Sequence, residues 1–270
     1  MVPGQTGPVR LIASDLDGTL LGPDKELSAG TVEALRLIAR RDVVVVAATG
    51  RSHRTAVGKV ARAGVVTWAV CSNGATLYDL TQSRVDHMHT INDAVLDRAM
   101  NDLRTHLPGV GFGWESPWGF GLDAQFRALQ PAVDEFGDTY RNPPMPSHPA
   151  EVIKVLVAHP DLVANELLDQ VIPLLPAGVR AACSGAAFVE VSVAGVGKAA
   201  TVAALCRRLG IDRADVVAFG DQHNDRDLLE WAGTGVAMGN AHPSVHAVAD
   251  EVTDHHADDG VARYLFERLA

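Results

Sequence analysis

The feature that most constrains this chain is a rhythm. Short β-branched apolar runs alternate with stretches of helical periodicity, and the runs stop at glycine, hydroxyl or carboxylate residues. Residues 9–14 form the first run, which ends at Asp15. After it, Thr31, Val32, Leu35, Leu37 and Ile38 recur on one helical face, with Ser28 placed to cap that helix. Residues 43–48 read as a second strand, 54–63 as a helix and 67–71 as a third strand, stopped by the turn signal Ser72-Asn73-Gly74. The rhythm returns late: helix over 198–209, strand over 215–219, helix over 224–232, strand over 235–238. Parallel neighbours need a crossover that is usually helical, so the expected fold class is α/β, a parallel sheet flanked by helices.

The middle of the chain breaks the rhythm. Aromatic and glycine residues crowd into 112–120, and prolines into 142–149. This stretch reads as a second α/β domain over 81–189, inserted between core segments 1–80 and 190–270. Helices are expected within it over 91–107 and 161–175, and strands over 152–158 and 188–193.

With 47% hydrophobic and 21% charged residues in 270, the chain has the composition of a soluble globular protein. A formal net charge of -10 argues against nucleic acid, whose phosphates attract clustered Lys and Arg. No stretch approaches the roughly 20 apolar residues of a membrane span. Cys71, Cys183 and Cys206 form no closely spaced pair, and the start MVPGQTGPVR lacks the apolar core of a secretory signal. A reducing cytoplasm is the expected setting. The oligomeric state is not readable.

In open α/β sheets ligands bind beyond the carboxyl ends of the strands. The residues there are Asp15-Leu16-Asp17-Gly18-Thr19, Thr49-Gly50-Arg51, Ser72-Asn73-Gly74 and Gly220-Asp221-Gln222-His223-Asn224-Asp225. Side chains two apart in an extended segment share a face, so Asp15 and Asp17 are expected to address one small volume. Asp221 adds a third carboxylate, and the mutual repulsion calls for a cation; an all-oxygen donor set suits Mg²⁺. A calcium loop is excluded by position. Its fifth and sixth places would need Asp or Asn and then Gly, where Thr19 and Leu20 stand, and a strand rather than a helix precedes it. Lys198 opens a helix, where the positive end of the dipole disfavours a cation unless an anion such as phosphate lies close by.

These motifs, in this order, resemble the haloacid dehalogenase superfamily: Asp15-Leu16-Asp17-Gly18-Thr19, then Thr49, Lys198, and Gly220-Asp221 with Asn224-Asp225. The insertion between Thr49 and Lys198, Ser72-Asn73-Gly74-Ala75 before it, and Asp259-Gly260-Val261 at the end are similar to the Cof-type branch, type IIB with a C2 cap. The resemblance implies a Rossmann-like core plus an inserted α/β cap that selects substrate. It further implies a Mg²⁺-dependent phosphatase acting on small phosphorylated metabolites, sugar phosphates above all. Asp15 would be the nucleophile and a metal ligand. Asp17 would be the acid and base, with its backbone carbonyl on the metal, and Asp221 would be the remaining ligand. Thr49, Lys198, Asn224 and the backbone N–H groups of Leu16 and Gly50 would hold phosphate oxygens, with Asp225 and Arg51 in support.

Other readings stay open on sequence alone. The same scaffold supports a phosphotransferase or mutase, and a noncatalytic phosphate-ligand sensor would keep the pocket without turnover. His223 reads as a spacer. Trp114, Glu115 and Trp118 read as a satellite core more readily than as a specificity pocket, and Lys154, between apolar neighbours, reads as an outward-facing strand residue.

Overall fold

The computed structural model describes residues 8–116, 119–130, 151–183 and 186–269. The first seven residues, Trp118 and the proline-rich stretch 142–149 lie outside them. By internal contacts the chain separates into two compact units, one running to His87 and resuming at Gly197, the other spanning Met88–Val196.

The first unit begins with β1 (Leu11–Ser14), α1 (Ala29–Ala39), β2 (Val44–Ala48), α2 (His53–Ala61), β3 (Val66–Cys71), β4 (Thr76–Asp79) and β5 (Arg84–Met88). Ser28 caps α1 by accepting from the Thr31 backbone N–H at 2.9 Å, satisfying one of the donors a helix start leaves unpaired.

The second unit contains α3 (Asp93–His106), β6 (Gly111–Ser116), β7 (Gly119–Leu122), α4 (Ala124–Leu129), β8 (Lys154–Ala158), α5 (Ala164–Val171), β9 (Val179–Ala182) and β10 (Val189–Val193). The strands form a sheet in the order β7-β6-β8-β10-β9. Alternate residues Phe112, Trp114, Val155, Val157, Val189 and Val191 join one apolar cluster with Leu96 and Leu103 of α3 and Leu167 of α5. Leu122, Leu156 and Ala158 pack instead with Phe126 of α4. Helix α5 is shorter than expected because Pro173 cannot donate to an α-helical ladder, and the chain continues as a 3₁₀ turn over Ile172–Leu174.

Lys154 does not face solvent. It is buried, its ammonium 2.6 Å from Glu190 Oε1 and 3.6 Å from Glu115 Oε2, and both glutamates are buried too. Period two puts Lys154 on the face of Leu156 and Ala158, and the register sets it directly opposite Glu115. A flank of apolar neighbours cannot reveal such a cross-strand partner. Trp114 is a core residue, as its neighbours in the apolar cluster show.

The first unit resumes with α6 (Lys198–Leu209), β11 (Val216–Gly220), α7 (Arg226–Trp231), β12 (Thr234–Ala237), α8 (Pro243–His246), β13 (Glu251–Val252) and α9 (Gly260–Tyr264). Its sheet runs β13-β12-β11-β1-β2-β3-β4-β5, parallel as far as β3, with β4 antiparallel to β3. This is the α/β architecture expected from the sequence. Strands β1, β2 and β11 are almost wholly buried, which explains their unbroken apolar runs. The helix expected over 224–232 opens instead as a 3₁₀ turn, His223–Asp225, with Gln222 and Asp225 forming a capping box. Among the described residues no helix is long and apolar enough to cross a membrane.

Candidate active site

Residues directly beyond the carboxyl ends of β1, β2, β3 and β11 build three linked clusters. The first surrounds Lys198. Its ammonium, fully buried, donates to Asp15 Oδ1 at 2.6 Å and to Asp225 Oδ1 at 2.5 Å. Helix α6 is fixed by a close approach: a Cβ at Gly74, where φ is +99°, would lie 2.3 Å from the Gly197 carbonyl oxygen. Thr201 Oγ1 also donates to the Gly74 carbonyl at 2.7 Å. The tight turn after β3 therefore locates the helix that carries Lys198.

Asp225 has no oxygen to spare, because its Oδ2 accepts from the backbone N–H groups of Asp221 and Gln222, each at 3.0 Å. Asp221 accepts from Thr19 Oγ1 at 2.8 Å and from Gln222 Nε2 at 3.0 Å. One carboxylate oxygen from each of Asp15, Asp221 and Asp225 lies within 4.8 Å of the others. Three carboxylates thus face one ammonium. Burial, then the charges of Asp225 and Asp221, push the Asp15 carboxyl well above the ordinary range, against the pull of Lys198. Burial and Asp225 likewise raise Asp221. Lys198 moves up as well, since its two carboxylate partners outweigh the cost of burying it. The surplus negative charge and the all-oxygen donor set fit a divalent cation such as Mg²⁺.

The second cluster joins β2 to the turn after β11. Thr49 Oγ1 accepts from the Arg51 backbone N–H at 3.1 Å, and the Thr49 carbonyl accepts from Asn73 N–H at 3.1 Å. Asn224 Nδ2 donates to Asn73 Oδ1 at 2.9 Å. A Cβ at Gly50 would stand 3.2 Å from that Asn73 oxygen, so glycine there keeps the three segments close. Asn73, in the left-handed region at φ 56°, is the centre of this junction.

The third cluster surrounds Asp17. Arg51 Nε donates to Oδ2 at 2.5 Å and Nη2 to Oδ1 at 2.6 Å, a two-pronged pairing, and the Lys25 ammonium lies 3.2 Å from Oδ1. Burial alone would raise the Asp17 carboxyl; Arg51 and Lys25 outweigh it and hold it below the usual range. The Asp17 carboxylate is therefore not the third member of the close acidic group, which Asp225 completes. The physical reason is local. Beyond Asp15 the chain turns, with Thr19 N–H donating to the Leu16 carbonyl and Leu20 N–H to that of Asp15, so the period-two rule for extended segments does not apply.

His223 is exposed; its Nδ1 sits 3.0 Å from Ser244 Oγ, with its ring 4.1 Å from that of His242. Sequence reasoning assigns no individual role to Thr19, Lys25, Asn73 or Asn240, the last donating to the Gly18 carbonyl at 2.8 Å. Thr19 and Asn73 carried a signal, being polar residues within strand-end motifs. Lys25 and Asn240 carried none.

A buried lysine bridging two aspartates thus lies beyond the carboxyl ends of the parallel strands, where open α/β sheets bind their ligands. The sequence profile described as haloacid dehalogenase-like hydrolase matches residues 12–265, so the chain belongs to that family and is an enzyme of the hydrolase type. The chain is 30% identical to the pyridoxal phosphate phosphatase of Escherichia coli (strain K12) over 272 aligned residues, covering 96% of this chain and 98% of that protein. It is 28% identical to the 5-amino-6-(5-phospho-D-ribitylamino)uracil phosphatase of Bacillus subtilis (strain 168), covering 95% and 94% respectively. Among solved structures it is similar to the haloalkanoate-superfamily phosphatase BT1666 of Bacteroides thetaiotaomicron, with a TM-score of 0.84, 25% identity and 98% and 97% coverage. A haloacid dehalogenase-like hydrolase from B. subtilis gives a TM-score of 0.81 at 25% identity, covering 96% of this chain and 100% of that one.

Proposed function

We propose that this chain is a Mg²⁺-dependent phosphatase that hydrolyses small phosphate monoesters, sugar phosphates among them, through an aspartyl phosphate on Asp15. The observation that carries the reading is the asymmetry of Asp15. Lys198 fixes one of its oxygens, while Oδ2 has no hydrogen-bond partner among the described residues. A pinned carboxylate with one open oxygen is pre-oriented for in-line attack on phosphorus, which splits one hard displacement into two easier ones. The two relatives named as phosphatases of small phosphorylated metabolites support the same substrate class.

Asp15 and Asp221, with the Asp17 carbonyl, would hold the metal, and Asp225 would brace them. The cation would offset charge on the phosphoryl oxygens. Thr49, Asn224 and the backbone N–H groups of Leu16 and Gly50 would hold those oxygens, and Lys198 would keep Asp15 in place. Drawn off Arg51 and Lys25 by the incoming substrate, the Asp17 carboxylate would take up a proton, give it to the leaving oxygen, and then take one from the water that cleaves the aspartyl phosphate. Arg51 would hold the free carboxylate in place between turnovers. We infer that the unit Met88–Val196 serves as a substrate-selecting cap inserted between the two parts of the catalytic core.

The test is phosphate release from a panel of phosphorylated metabolites, with Mg²⁺ and with excess chelator, using wild type beside Asp15→Asn and Asp17→Asn. Metal-dependent release that vanishes in Asp15→Asn, with a slowed or trapped phosphoenzyme in Asp17→Asn, is the expected result. Full activity in Asp15→Asn or in chelator would sink the reading. Transfer of the phosphoryl group to an added alcohol in preference to water would assign a transferase instead.

A further inference from the structure

The surroundings of Asp17 hold more positive charge than a single proton carrier requires. Both Asp17 oxygens are taken by the Arg51 guanidinium, and Lys25 approaches the same carboxylate from another segment. Lys25 stands on a tight turn closed by Gly22 N–H to the Glu26 carbonyl and Lys25 N–H to the Gly22 carbonyl, each at 2.9 Å. It occupies the left-handed region at φ 62°.

The nearby acids do not cancel this charge. Asp24 Oδ1 is turned back onto the Glu26 backbone N–H at 3.0 Å. Glu26 is paired with Lys59 of α2 at 2.6 Å, which also ties the turn to the body of the unit. Two cations therefore serve one carboxylate. Arg51 in its fork satisfies Asp17, and the Lys25 ammonium, its side chain 57% exposed, is the surplus charge.

Whatever lies beside a general acid lies beside the leaving group. Resting on the reading of Asp17 given above, we propose that Lys25, backed by Arg51, forms an anion subsite for the leaving group. The preferred substrates are then phosphate esters carrying a carboxylate or a second phosphate within a few bonds of the ester oxygen. Lys25 is in this sense a specificity residue: it touches the part of the substrate that departs, not the phosphoryl group that is transferred. Because the ammonium is partly solvated, one such contact changes specificity by about threefold to fivefold, the scale of an exposed ion pair, and salt weakens it.

Three esters of similar size but different leaving-group charge test this: 3-phosphoglycerate (anionic), glycerol 1-phosphate (neutral) and phosphoethanolamine (cationic). The readout is kcat/KM for wild type, Lys25→Gln and Lys25→Arg, at low and high ionic strength. The expected order in wild type is anionic, neutral, cationic, with the spread narrowing in high salt. Lys25→Gln should compress the anionic-to-cationic ratio about threefold or more, and Lys25→Arg should keep it.

An unchanged ratio in Lys25→Gln overturns the subsite, even if all rates change by a common factor, as they would if Lys25 only neutralised Asp17. A wild-type preference for the cationic ester overturns it too. Asp15→Asn on the same esters separates the two levels. No release from any ester, or release surviving in Asp15→Asn, overturns the phosphatase reading together with the subsite. Asp15-dependent release without a charge preference removes the subsite alone.

Discussion

Lys198 bridges Asp15 and Asp225 with hydrogen bonds of 2.6 and 2.5 Å, so a single ammonium holds the carboxylate after β1 against the one that braces the turn after β11. Removing one partner of a buried ion pair leaves the others uncompensated, at about 3–5 kcal/mol. Lys198→Met should therefore lower thermal stability by about that much and abolish phosphate release. Adding Asp225→Asn should recover part of the stability and none of the activity. Thermal unfolding of the two variants beside wild type checks both statements, and a single variant as stable as wild type would show that the charges are not coupled.

Gly18 is expected to tolerate no side chain. Its φ is +79°, and a Cβ there would lie 2.5 Å from Asp221 Oδ2. The collision would push Asp221 out of its place beside Asp15. Because displacements near 1 Å can cost on the order of a hundredfold in rate, Gly18→Ala should reduce turnover by at least about tenfold. Its effect on the melting temperature should be smaller than that of Lys198→Met. Wild-type kinetics in Gly18→Ala would mean that the Asp221 position is not critical.

How much of this was legible beforehand follows from which contacts are local. The apolar runs ending at Asp15, Thr49 and Asp221 were readable because buried parallel strands impose them, and each residue stands directly beyond β1, β2 or β11. Helix α6 spans Lys198–Leu209 as its periodicity and the left-handed Gly210 dictate. Strand β6 is not legible in the sequence, since GFGWES carries glycines that strands disfavour. Their purpose is tertiary: a Cβ at Gly111 would meet the Phe126 backbone nitrogen at 2.3 Å, and one at Gly113 the Leu122 side chain at 2.8 Å. The pairing of Asp17 with Arg51, and of Lys154 with Glu190, joins residues 34 and 36 positions apart, and no periodicity encodes such partners.

The raised carboxyls of Asp15 and Asp221 make a prediction about acid with a definite sign. A group whose folded-state value lies above its unfolded one binds protons more tightly when folded, so in that window stability falls as pH rises. The metal-free protein should therefore gain stability from these two groups as the pH drops from neutrality through their raised values. A cation relieves the same repulsion and competes with the protons. The rise in melting temperature produced by Mg²⁺ should be larger at about pH 7.5 than at about pH 5. Asp221→Asn should lose the Mg²⁺ response while leaving the metal-free protein no less stable. A Mg²⁺ shift independent of pH would exclude these carboxyls as the ligands.

The buried trio of Lys154, Glu115 and Glu190 joins β8 to the strands on either side of it, since β8 lies between β6 and β10 in its sheet. Burial lowers the affinity of Lys154 for its proton, yet the two glutamates outweigh it and hold the ammonium in its charged form. Lys154→Met would leave two carboxylates facing each other away from water, at about 3–5 kcal/mol. Lys154→Met with Glu190→Met and Glu115→Met removes the charge altogether and should recover most of that loss, because a buried ion cluster replaced by well-packed hydrophobic residues of similar volume is often neutral in energy. Hydrogen exchange locates the effect: amides of β6, β8 and β10 should lose protection in the single variant and regain it in the triple, while those of β1, β2 and β11 keep theirs. If the single variant protects those strands as well as wild type does, the trio contributes nothing to holding the sheet together. A triple variant no better than the single one would place the loss in missing hydrogen bonds, not in unpaired charge.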